Sequence, residues 1–221
     1  MTDPKPTAGR GRGAGVWPLI SAERAALAAD LADLTDEGWA TPSLCEGLTV
    51  REVLAHLTAG ASLNGVRWLA GVIRCRFDFD QQVATRLAEQ LGTTPAETLE
   101  RFRSVVASTT KPPLPAMAML GEAIVHGQDI RRPLGIRRDH PIEVVTRVAE
   151  YYRGSDLVVL AKGRIGGLGL VADDGPFTTG SGPLVSGPTV ALIMAMTGRA
   201  AYCDDLKGEG VDVLRGRCVT A

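Results

Sequence analysis

Apolar positions recur at helical spacing through most of the first 160 residues, then at shorter intervals broken by glycine. Leu27, Leu31 and Leu34 stand at i, i+4 and i+7 until "TDEG" ends the pattern, which predicts a helix from about Ser21. "TVRE" is a capping box: Thr49 accepts from the amide of Glu52, and Glu52 reaches back to the amide of Thr49. Val50, Val53, Leu54, Leu57 and Trp68 then predict one helix to about Ile73. "DQQVATRLAEQL" (80–91) predicts a shorter helix. "TPAE" (94–97) is a second capping box, with Pro95 at the first helical position, and predicts a helix to about Ser108. The stiff connector "KPPLP" leads to a helix carrying "GEAIVHGQDI" (121–130), which ends before Pro133. "HPIEVVTRVAEYY" (140–152) starts another, with Pro141 in its first turn.

After Lys162 the pattern changes. "LGLVADDGPFTTGSGPLVSG" reads as short strands separated by Asp-Gly and Gly-Pro turns. "SGPTVALIMAMTGR" reads as a buried helix capped by Ser186 and closed by Gly198, and "VDVLRG" as a terminal strand. The expected organisation is a disordered tail (1–18), a helical bundle (19–160) and a small α/β unit (161–221). "GLGLVA" (167–172) matches a loose dinucleotide fingerprint. It runs from a strand into an Asp-Asp-Gly turn and not into a helix, so that reading is rejected.

Composition narrows the function classes. A net charge of −1 over 221 residues offers no basic footprint for nucleic acid or anionic membrane. The N-terminal residues lack the apolar core of a secretory signal, and the longest apolar run, "VALIMAM", is too short to span a bilayer. Cys45, Cys75, Cys203 and Cys218 are scattered without CxxC pairing, the usage of reduced thiols. A cytoplasmic protein is expected.

The candidate chemistry lies on two helices. At about 100° per residue, Glu122, His126 and Asp129 share one narrow arc of a helix that is otherwise apolar nearly all round. A buried carboxylate and imidazole need partners, so two readings stand: a structural hydrogen-bond network, or a divalent metal gripped by Glu122 and His126. His140, before Pro141 in "RRDHP", reads as a solvated turn residue. His56 alone reads as a core histidine, but with Glu122 and His126 it completes a His2Glu set. Three protein ligands leave coordination open, as in catalytic zinc sites.

"WATPSLCEGLTVREVLAHL" (39–57), "LGEAIVHGQDIRRPLG" (120–135) and the segment 168–199 resemble, in order, the signatures of the mycothiol-dependent maleylpyruvate isomerase family of the DinB-like superfamily. The resemblance implies a mainly α fold, a DinB-like four-helix bundle followed by a small α/β C-terminal domain. It implies a divalent metal, usually zinc, on His56, Glu122 and His126, with Asp129 supporting His126 from outside the coordination sphere. It further implies an enzyme that activates the thiol of mycothiol against a small-molecule electrophile, by S-transfer or cis–trans isomerisation; the alternative is a non-catalytic DinB-like metal- or ligand-binding protein. Leu48 and Gln128 depart from the residues frequent in the family, which leaves the substrate open. Arg67, Asn64, Arg215 and Arg217 are candidates to hold substrate or thiol, and no cysteine of the chain is expected to be the nucleophile.

Overall fold

The computed structural model describes residues 15–74 and 78–219. The first helix, α1 (Val16–Asp30), begins within the expected tail, because Val16, Trp17 and Leu19 pack against the core. Pro18 fits its first turn, where an amide has no helical partner. Residues 1–14 of that tail lie outside the described residues. A short α2 (Asp36–Ala40) precedes α3 (Val50–Ser62), whose start is the expected Thr49–Glu52 capping box.

The helix predicted to run to Ile73 is interrupted. Leu63 is extended, and a new helix, α4 (Gly65–Arg74), follows the Asn64-Gly65 turn pair. Next come α5 (Phe79–Gln90) and α6 (Pro95–Ser104). Thr94 caps the amide of Glu97, but the Glu97 carboxylate turns to the Thr93 amide and Arg101, so only half of that box forms. The helix bearing the candidate chemistry is α7 (Ala116–Arg131), and α8 is Ile142–Arg153.

Helices α1, α7, α3 and α6 contact one another in that cyclic order, a four-helix bundle. Its interior holds Leu27, Leu54, Phe102 and Ile130. On the far side of α7, Leu120 and Ile124 join a second apolar cluster with α8 and the C-terminal elements. Twelve of the sixteen residues of α7 are therefore buried.

Beyond the short helix α9 (Ala161–Arg164) lies a three-stranded sheet of β1 (Gly169–Ala172), β2 (Thr178–Thr179) and β3 (Leu184–Gly187), in the order β2-β1-β3. The β1–β2 pair is antiparallel and β1–β3 parallel, with Leu170 opposite Thr179 and Val185. The apolar helix α10 (Thr189–Met196) is not capped by Ser186, which belongs to β3. Asp174 of the Asp-Asp-Gly turn instead accepts from the Thr189 amide at 2.9 Å and from its hydroxyl. Helix α10 closes on Gly198, at φ +98°, with bonds from Gly198 N to Ala195 O and Arg199 N to Met194 O. That is a Schellman motif, and it fixes where Arg199 leaves the helix.

A 3-10 helix (Ala200–Asp205) leads to α11 (Val211–Val219), where a strand was expected. The chain makes one bridge to Ser186 through Lys207 and then turns away at Gly208, φ +113°, where any Cβ would strike the Leu184 carbonyl oxygen. Val211 and Leu214 are buried while Val213 is 43% exposed, so the apolar spacing is i, i+3 and not an alternation.

Candidate metal centre

His56 comes from the middle of α3, and Glu122 and His126 from adjacent turns of α7. The α3–α7 contact of the bundle brings them together. Glu122 Oε2 stands 3.6 Å from His56 Nε2 and 3.4 Å from His126 Nε2, and the two imidazoles meet edge to face with centroids 4.9 Å apart. Hydrogen bonds between such groups are shorter, near 2.7–2.9 Å. Ligand atoms about 2.1 Å from a tetrahedral zinc stand about 3.4 Å apart. The spacing fits the edges of a coordination polyhedron, and all three donors lie within 4.8 Å of one another.

The other face of the His126 ring is fixed. Its Nδ1 lies 2.9 Å from Asp129 Oδ2, which leaves Nε2 to face Glu122 and His56. Asp129 also accepts from Arg199 twice, Nε to Oδ1 at 2.9 Å and Nη2 to Oδ2 at 2.6 Å, and from the Cys45 thiol at 3.1 Å. Cys45, His126 Nδ1 and Asp129 are themselves close enough to group around an ion. The Arg199 guanidinium already occupies that carboxylate, and a second cation there would meet its charge. This group is a hydrogen-bonded support.

Electrostatics follow the geometry. Burial works against the charge on Glu122, but the attraction of the His126 and His56 imidazoles outweighs it and holds the carboxyl far below the usual range. Burial also opposes the charge on His126, yet Glu122, Asp129 and Cys45 push its pKa well above the ordinary value. Asp129 is held at about 2, its burial outweighed by His126 and Arg199. A metal taking the triad displaces the His126 proton.

A cavity of about 350 Å³ opens beside the triad, with His56 and Glu122 in its lining and aliphatic walls that include Leu63, Leu114 and Met119. Of the residues expected to hold ligand, Asn64 sits at the α3–α4 break next to Leu63, and the Arg67 side chain lies outside the described residues. Arg215 and Arg217 are not in this lining. Arg215 pairs with Asp204 at 2.9 Å, and Arg217 donates to the carbonyls of Arg164 and Gly166.

His140 is not solvated: its side chain is 1% exposed, between Glu23 Oε2 at 3.3 Å and Gln128 Nε2 at 2.9 Å. Gln128 in turn accepts from the Tyr202 hydroxyl at 2.8 Å, so this departure from the family pattern is engaged in a polar chain and does not line the metal-side cavity. Sequence reasoning missed Arg199 and the hydrogen bond from Cys45 to Asp129. The "TGR" helix ending was visible, but nothing local showed where its arginine would reach.

Residues 20–112 match the mycothiol maleylpyruvate isomerase N-terminal domain. That segment belongs to this family. It contains His56 but neither Glu122 nor His126, which the α3–α7 contact brings beside it. A crystal structure of the mycothiol-dependent maleylpyruvate isomerase shares the fold with a TM-score of 0.58 at 17% identity, covering 88% of this chain and 91% of that one. A histidine-to-alanine mutant of that isomerase gives the same TM-score and coverage at 16% identity. No curated protein matches the chain. No helix among the described residues is long and apolar enough to cross a membrane.

Proposed function

We propose that this protein is a zinc-dependent enzyme that activates the thiol of mycothiol for attack on an electrophilic small molecule, by S-transfer or by cis–trans isomerisation. The carrying observation is a His2Glu set at coordination spacing that opens onto a cavity, in a chain whose N-terminal segment belongs to the mycothiol isomerase family. His56, Glu122 and His126 would hold zinc or another divalent ion, which would supply the Lewis acidity that stabilises a thiolate at neutral pH. The chain's own residues set the conditions for this. Asp129 holds the proton of His126 on Nδ1 and presents Nε2 as a lone pair. Arg199 pairs with the Asp129 carboxylate through two hydrogen bonds and fixes the oxygen that orients the imidazole. The Glu122 carboxylate stays ionised and lowers the charge of the site. Aliphatic side chains such as Leu63, Leu114 and Met119 line the cavity beside the triad, an apolar surface for the body of an electrophile. A non-catalytic metal carrier has less support, because purely structural zinc sites are closed by a fourth protein ligand.

The test measures zinc content and mycothiol-dependent turnover of maleylpyruvate and a panel of electrophiles. One zinc per chain and thiol-dependent turnover are expected, both lost in His56→Ala. Zinc-loaded protein that neither binds nor turns over the thiol refutes the enzyme reading, and unchanged zinc content in His56→Ala refutes the ligand set.

A further inference from the structure

Two of the four cysteines meet outside the metal centre. Cys203 lies in the 3-10 helix and is 1% exposed, while Cys218, near the end of α11, is only partly buried. The two elements pack against each other, and Arg215 of α11 ties them together through Ala200 O at 3.3 Å and Asp204 at 2.9 Å. Cys203 donates its thiol hydrogen to Cys218, whose own Sγ lies 3.4 Å from the Ala195 carbonyl oxygen of α10. Both sulfurs are therefore held at the junction of α10, the 3-10 helix and α11. Cys45, bonded to Asp129, His126 and Arg199, has no thiol partner among the described residues.

The paired thiols differ in access and in acidity. The hydrogen bond from Cys203 outweighs burial and, with the charges of Arg164 and Arg215, brings Cys218 down to about 7, so much of it is thiolate at neutral pH. The same bond, with burial, pushes the Cys203 thiol up. An accessible thiolate backed by a buried thiol is the arrangement of an attacking and a resolving cysteine. We propose that Cys203 and Cys218 are a redox-sensitive pair that a hydroperoxide converts to an intrachain disulfide. The Cys218 thiolate attacks one peroxide oxygen, the O–O bond breaks, and the other oxygen leaves with the bonding pair and takes a proton. Cys218 is then a sulfenic acid. The Cys203 sulfur attacks the Cys218 sulfur and the S–O bond breaks. Hydroxide leaves with the bonding pair and takes the proton that Cys203 gives up, forming water. The two thiols lose two electrons and the peroxide gains them; a small thiol reverses the change by exchange through a mixed disulfide. The bond fastens α11 to the helix that follows Arg199 directly in the chain.

The experiment treats the full chain with tert-butyl hydroperoxide and maps its thiols by mass spectrometry. Expected are a loss of about 2 Da per chain, tryptic fragment 200–207 linked to fragment 218–221, and recovery of both thiols with dithiothreitol. Cys203→Ser is expected to stop at a Cys218 sulfenic acid that dimedone traps. Cys218→Ser is expected to slow the oxidation of Cys203 at least tenfold. Both thiols still free in the parent after excess peroxide, or a bond from either to Cys45 or Cys75, overturns the proposal without recourse to a variant. Cys203 oxidising as fast in Cys218→Ser as in the parent overturns the assignment of Cys218 as the attacking sulfur.

Discussion

Asp129→Asn probes the support of the metal centre with almost no change of shape. The side chain is fully buried, and its two oxygens accept four bonds: from His126 Nδ1, from Cys45 and twice from Arg199. An asparagine has one acceptor oxygen. If the oxygen stays at the Oδ2 position, it keeps His126, Cys45 and one Arg199 nitrogen, and the new amide faces Arg199 Nε, donor against donor. The flipped orientation sets the amide against three donors and is worse. In either case Arg199 keeps a buried positive charge without its counter-ion. Removing one partner of a buried pair costs about 3–5 kcal/mol. Retention of one to three bonds places the substitution near the lower end, at roughly 3 kcal/mol. The loss of a carboxylate behind a metal-ligating histidine lowers metal affinity by about 10- to 100-fold. Guanidinium unfolding of the metal-free protein reads the first quantity and competition with a zinc chelator the second. A variant with zinc affinity within twofold of the parent and a stability loss under about 1 kcal/mol would refute the idea that Asp129 and Arg199 orient His126.

Asp129 also sets an acid limit. Its folded pKa of about 2 lies below the ordinary 3.8, so the stability it contributes is complete above about pH 4 and is lost as pH falls through 2. The shift corresponds to roughly 2 kcal/mol, and unfolding curves of metal-free protein between pH 5 and 2 should decline more steeply for the parent than for Asp129→Asn. Thr49→Ala removes the side-chain cap of α3 and should destabilise by about 0.5–2 kcal/mol in thermal melts; no change would mean that the box is idle. Gly121→Ala places a methyl 2.5 Å from the Tyr152 hydroxyl, one residue from Glu122. Overpacking of about 1–3 kcal/mol should appear in melts together with weaker zinc binding, whereas intact zinc affinity would show that α8 yields without moving α7.

The family resemblance read from three short segments and the family match over residues 20–112 agree, and helical phase alone placed Glu122, His126 and Asp129 on one face. The capping box at Thr49 and the stop at Gly198 were equally legible, because each is built from residues a few positions apart. The terminal strand at "VDVLRG" was misread because a short apolar run fits more than one period, and the helix to Ile73 because the helical spacing continues on both sides of the break at Leu63. In each case a turn glycine, Gly65 or Gly208, decided the path.

The sequence by itself determined the local chemistry: which side chains share a helix face and where helices begin. Only the tertiary structure decided what surrounds it. Cys45 and Arg199 reach Asp129 from 84 and 70 residues away, Arg215 and Arg217 are drawn into other bonds, and His140 is buried against Glu23. Periodicity encodes the direction of a side chain about its own helix axis. Which charge meets it across the bundle depends on the packing of elements far apart in the chain, and no short stretch of sequence carries that information.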